Sequence, residues 1–217
     1  MITHESRDAI TARVVRTGLA VAAVAVVLQS AAHVVNEILD QRWNALNADS
    51  DTGAAAWASA SLQFGAALMV LVLAARAPNR RWLAGLGVAL VFLSLDDIIR
   101  IHEQVAVLDE RLGLWDHAGR LLWVGTYLPL LGAVFLGLWA IAGEVAGELQ
   151  KLIRIGLGLL VFAVFLEVAG AGLFALDVER LDPVFVAEVT IEEGAELLGW
   201  ALITTALMAL IAARPQA

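Results

Sequence analysis

Residues 92–104 read FLSLDDIIRIHEQ and carry Asp96, Asp97, Arg100, His102 and Glu103 in close succession. They supply two adjacent carboxylates, a guanidinium and an imidazole–carboxylate pair at the end of a membrane-grade apolar run. A second acidic group, Glu192, Glu193 and Glu196, lies in IEEGAELLG. His33 and Glu37 form an i, i+4 pair, and Glu167 stands alone inside VFAVFLEVAGAGLF. Carboxylates with imidazoles are the ligand set expected for zinc, iron or manganese. Calcium would take the carboxylates and leave the histidines.

Spacing sorts these residues into faces. Asp96, Arg100 and Glu103 follow i, i+4, i+7, one stripe of a helix. Glu192 and Glu196 share a face, as do Glu193 and Glu196. Asp97 and His102 point away from the Asp96 stripe. Asp96 and Arg100 also suit an i, i+4 ion pair. A lone acid in the membrane, such as Glu167, is by default functional or strongly paired. Each group also has a plainer reading. FLSLDDIIRIHEQ can be a helix end leaving the membrane, the late glutamates an N-terminal cap, and His33–Glu37 an interfacial pair. A full HExxH zinc motif is absent.

The elements that must position these side chains follow from composition. The chain has 217 residues and is 60% hydrophobic, with a mean hydropathy of +0.80. Soluble domains lie nearer 45–50% apolar, so this is a membrane-class sequence. A net charge of −8 excludes a nucleic-acid partner. The absence of cysteine excludes disulfides, thiolate metal sites and thiol nucleophiles.

Six runs, approximately 17–37, 57–76, 82–103, 121–142, 152–176 and 190–213, are long enough to span about 30 Å of hydrocarbon. Lipid offers the backbone no hydrogen bonds, so each run must be helical. The first run is too long for a signal-peptide core and reads as a span. The expected fold is an all-α, polytopic bundle of six transmembrane helices forming one domain over residues 1–217. PVFVAEVTI, ahead of the late glutamates, implies that the last helix starts earlier or that an interfacial helix leads into it. Trp57, Trp82, Trp123 and Trp200 lie near run ends, where aromatic belts form.

Arg7, Arg13, Arg16, Arg76, Arg80, Arg81, Lys151, Arg154 and Arg214 fall on one side of an alternating six-span chain. The positive-inside rule makes that side, and both termini, cytoplasmic. At 1.5 Å per residue, His33, Gln63, Asp96, Glu167 and Glu196 then lie roughly 20–27 Å from the inner ends of their runs. Tyr127 falls near the same height. The expectation is one shared polar layer in the outer half of the bilayer.

Acids outnumber bases in that layer. A charge at mid-bilayer costs at least about 2.5–3.5 kcal/mol on insertion scales. Some acids must therefore hold protons, sit in a watery vestibule, or bind a cation.

SLDD…IHE followed by IEEGAELLG resembles a pattern of uncharacterised prokaryotic multi-pass membrane proteins. The matching residues are Asp96, Asp97, His102, Glu103, Glu192, Glu193 and Glu196. The resemblance implies a prokaryotic inner-membrane protein and names no activity. Alkaline ceramidases and adiponectin-receptor hydrolases also place Asp and His around a membrane zinc, but their late-helix histidine pair has no counterpart here.

The sequence thus supports a carboxylate–histidine cation site that could serve a metal-dependent enzyme acting on a lipid-borne or small-molecule substrate. His33, Glu37, Asp96, His102, Glu103, Glu167, Glu192 and Glu196 are the candidate ligands. Asp97 or Glu193 would be the general base, and Arg100 would hold an anionic substrate group or orient Asp96. Two alternatives stay open: a proton- or cation-coupled transporter, and an accessory subunit of a larger membrane complex. The partner common to all readings is the lipid bilayer; a homo-oligomer is also compatible.

Overall fold

A computed structural model describes residues 4–40, 43–48, 50, 52–77, 79–101, 104, 119–175 and 182–213. Among these, six long helices account for the fold: α1 (His4–Ile38), α2 (Ala54–Arg76), α3 (Arg81–Ile99), α4 (Gly119–Glu144), α5 (Gly147–Ala175) and α6 (Pro183–Ala213). All six contain stretches long and apolar enough to cross a membrane, which makes the chain an integral membrane protein of the multi-pass helical class.

Helices α2, α3, α4, α5 and α6 pack in chain order into a ring, which α6 closes by returning to α2. Helix α1 leans on the outside of α6. Burial follows that plan. In the most apolar window of α6, 67% of residues are buried; in α1 the share is 11%. The ring is filled by Leu73, Leu90, Leu138, Ile153, Leu157, Ile203 and Leu207, each almost fully buried. Where α5 meets α6, a Cβ at Gly156 would sit 2.7 Å from the Gly199 carbonyl oxygen. Two glycines therefore let these backbones touch, the small-residue contact expected of packed membrane helices.

Arg76 reaches the Ile211 carbonyl at 3.5 Å, Arg80 pairs with Glu144, and Arg154 lies 4.9 Å over the Trp139 ring. Gly18 of α1 abuts Thr205 of α6. These contacts gather the start of α1, the end of α6 and the basic residues at one end of the bundle, here the arginine end. The opposite end carries the α1–α2 connection, with a 3-10 turn at Asn44–Leu46.

Two boundaries differ from the sequence expectation. Helix α6 starts at Pro183, not near 190. Asp182 Oδ1 accepts the Val184 N–H at 2.8 Å, an N-cap followed by proline at the first helical position. Trp200 is consequently mid-helix and buried in the core, not part of a belt, whereas Trp57 and Trp82 are exposed. Helix α3 ends at Ile99, because Arg100 takes a left-handed conformation with φ 61°. The expected Asp96–Arg100–Glu103 stripe is therefore not one uninterrupted helical face.

Candidate functional site

Three polar groupings occupy the half of the bundle away from the arginine end. The first joins α5 to α6. Gly170 faces Glu188: a Cβ there would sit 2.8 Å from Oε1 and 3.0 Å from Oε2. One turn along each antiparallel helix from that contact, the Glu167 and Glu192 side chains meet in a hydrogen bond, with Glu188 and Glu193 in electrostatic range. Among the described residues, the charged groups acting on Glu192 are Glu167, Glu193 and Glu188, all acids. A carboxylate has only acceptor atoms. Two carboxyl groups in contact therefore need a shared proton or a cation between them. Glu167, Glu192 and Glu193 are half-buried, so the group is reachable from outside the packed ring.

The second grouping joins α3 to α4. Tyr127 Oη donates to Asp96 Oδ1 at 3.0 Å, with both residues buried. Phe92 stacks on the Tyr127 ring at 6.2 Å. Asp97 is within electrostatic range of Tyr127. Arg100 and Glu196 are half-buried and each makes a polar or electrostatic contact.

The third grouping closes the α1–α2 connection. His33 Nδ1 accepts the Ala48 N–H at 3.1 Å, and Asn36 Oδ1 accepts the Trp43 N–H at 2.9 Å. Glu37 Oε1 lies 3.8 Å from His33 Nδ1. The lone pair that would bind a metal through Nδ1 is thus engaged by the backbone, which leaves Nε2 as the nitrogen through which His33 could act as a ligand.

Side-chain contacts fix the relative levels of these groupings. Ser94 Oγ donates to the Ala60 carbonyl at 2.8 Å, and Thr204 Oγ1 to the Leu62 carbonyl at 2.8 Å. By that register Asp96 is level with the region of α6 around Trp200. Glu192 lies two turns, about 12 Å, further from the arginine end. The single expected layer is therefore at least two tiers, Asp96 with Tyr127 and Glu167 with Glu192. Among the described residues, no group of three or more His, Asp and Glu side chains is arranged as a ready metal cage. His102 and Glu103 lie outside the described residues, as does the loop with His117; the Trp123 side chain lies outside them too.

Two participants escaped the sequence reading. Glu188 was left outside the last span; the signal that could have found it is the Asp182–Pro183 helix start, which puts Glu188 and Glu192 at i, i+4. Ser59 is 2% exposed and lies one turn from Gln63, 4% exposed, on the same face of α2. Neither Ser59 Oγ nor Gln63 Oε1 has a hydrogen-bond partner among the described residues.

The family model described as a domain of unknown function (DUF8692) matches residues 12–210. No curated protein and no solved structure matches the chain.

Proposed function

The chain belongs to the DUF8692 family, and from its site we propose that it is a prokaryotic inner-membrane protein that holds a cation between α5 and α6, in the outer half of the bilayer. The observation that carries this reading is the Glu167–Glu192 contact, flanked by Glu188 and Glu193, with acids as the charged groups that act on it among the described residues. An all-carboxylate set favours a hard divalent cation, manganese among the three metals the sequence suggested. The arginine end, rich in lysine and arginine, would be cytoplasmic.

Such an ion would polarise water or a substrate oxygen for chemistry on a lipid-borne substrate. Arg100, one turn from Asp96 toward the loop end, suits an anionic headgroup. Asp97 and Glu193 are the bases at hand. A one-sided site is favoured over a transport path by the other half of the ring. That half is filled by Leu73, Leu90, Leu138, Ile153, Leu157 and Leu207, and the Thr204 hydroxyl there is already bonded to Leu62.

Manganese titration of purified protein, read by the loss of the free-ion paramagnetic signal, tests the reading. Wild type should bind saturably. Glu167→Gln and Glu192→Gln should each weaken binding by about ten-fold or more, the loss of one charged ligand contact. Glu148→Gln, exposed at the arginine end, should leave binding unchanged. Wild-type protein that takes up no divalent ion removes the proposal.

A further inference from the structure

At the arginine end, one cation faces lipid without an acid beside it. Arg154 is exposed on α5, and its guanidinium lies over the exposed ring of Trp139 on α4, 4.9 Å from the centroid. Among the described residues it has no ion pair and no hydrogen bond. Lys151, one turn earlier on α5 and also exposed, has no ion pair among them either. The acids nearest in sequence are engaged or turned away. Glu144 is paired with Arg80, and Glu148 lies about 9 Å along α5 from Arg154 and about 120° around it.

Depth decides what must balance that charge. The span in α5 covers Gly147–Gly170, 24 residues, about 36 Å against about 30 Å of hydrocarbon. Centred in the bilayer, it puts the Arg154 Cα, about 10 Å from Gly147, about 7 Å inside the hydrocarbon surface. Trp139 has a matching depth, about 7 Å from the end of its own span at Glu144. A guanidinium keeps its charge wherever it is placed, and an aromatic face attracts a cation without neutralising it. Lipid tails supply no anion, and tails are what the stripe below Arg154 meets. Gly158, Phe162 and Phe165 on that stripe are exposed, and a Cβ at Gly158 would meet no atom within 4 Å. The anion that a bilayer does supply, just above this stripe, is a lipid phosphate. Helical side chains set out toward the helix N-terminus, which for α5 is the arginine end. A long basic stem so directed carries its head toward the phosphates, and the bilayer thins locally to bring them down.

We propose that Arg154 and Lys151 bind the phosphate of one anionic glycerophospholipid in the leaflet at the arginine end, with Trp139 holding the guanidinium in position for it. Two cations one turn apart favour a headgroup of net negative charge over a zwitterion, whose own ammonium they repel. The site lies at the opposite end of the bundle from Glu167 and Glu192, so it does not depend on the cation reading.

Native mass spectrometry from nanodiscs of equal parts phosphatidylglycerol and phosphatidylcholine provides the test. The first lipid is anionic and the second zwitterionic. The last lipid to leave wild type on collisional activation should be phosphatidylglycerol, preferred about ten-fold, the scale of one hydrogen bond to a charged group. Arg154→Gln, an exposed change that should leave the fold intact, should cut the preference to about two-fold or less. Trp139→Leu keeps both charges and removes the ring, so it should cut the preference about three-fold. Arg13→Gln removes an exposed charge at the same end, on α1, and should leave the preference unchanged. Equal retention of the two lipids by wild type, or an undiminished preference in Arg154→Gln, overturns the proposal. So does an equal loss in Arg13→Gln, which would reduce the effect to overall charge. A wild-type dimer free of phospholipid overturns it too, by placing a second copy of the chain on this face.

Discussion

The two halves of the bundle differ in how their polar groups are treated. Toward the arginine end, leucines and isoleucines fill the ring, Thr204 bonds the Leu62 carbonyl, and Gln150 bonds the Ala142 carbonyl at 2.9 Å. Toward the loop end, Gln29 Oε1, Asn36 Nδ2 and Ser59 Oγ are buried without hydrogen-bond partners among the described residues, and two glutamates touch. An unsatisfied buried polar group costs about 1–3 kcal/mol. One half is therefore arranged for packing. The other gives up stability in exchange for exposed chemistry, the usual division between scaffold and site. On this view, substitutions in the first half should damage folding, and substitutions at the Glu167–Glu192 contact should damage binding while sparing the fold.

The largest effect should come from Gly156→Leu. Its side chain would meet the Gly199 carbonyl and Ile203, forcing α5 off α6 where the two backbones approach each other. The expected loss is about 3 kcal/mol or more, read as a large drop in thermal midpoint in detergent or as failure to accumulate. Glu167→Gln, on the same pair of helices, should unfold at or above the wild-type temperature, because it relieves a contact between two acids. If Gly156→Leu were as stable as wild type, the packed half would have no special role in holding the fold.

Tyr127→Phe should have an intermediate effect. It keeps the ring stacked on Phe92 and removes the hydroxyl that serves Asp96. The expected cost is about 1–3 kcal/mol, that of a buried acceptor deprived of a donor, and thermal unfolding would measure it. Asp96 lies two turns from the Glu167–Glu192 contact, so manganese binding should change less than two-fold, about 0.4 kcal/mol. A ten-fold loss of binding would join the two tiers into one site.

The six spans were legible because apolar runs of that length have few alternatives in a membrane. That Glu167 needs a partner was legible, since a lone acid in lipid requires company; depth set Glu196 beside it, and the structure brings Glu192 instead. What depth could not supply was register. Counting from run ends assumes that every run ends at the same level, yet α1 continues to Ile38 and α6 begins at Pro183, which splits one expected layer into two tiers. Direction along a helix was also hidden. His33 has the right spacing to join Glu37 at a metal, but its Nδ1 goes to the Ala48 amide, a contact set by the loop's backbone rather than by side-chain spacing. Arg100 lay on the Asp96 stripe only if the helix continued, and its left-handed backbone ends α3 before Glu103.

The smallest effects give the finest discrimination, because they compare a partnered and an unpartnered hydroxyl of similar burial. Thr204→Val keeps the side-chain shape and removes the bond to Leu62, so it should destabilise by about 0.6 kcal/mol, the mean for a hydrogen bond between membrane helices. Ser59→Ala removes an oxygen with no partner among the described residues, so it should be neutral or slightly stabilising. Unfolding titrations of the two variants against wild type would resolve the difference in sign. If Ser59→Ala instead destabilises by as much as Thr204→Val, then Ser59 Oγ is bonded in the native membrane, through water or a bound molecule. The loop half would then be filled and satisfied, rather than held open at the expense of stability.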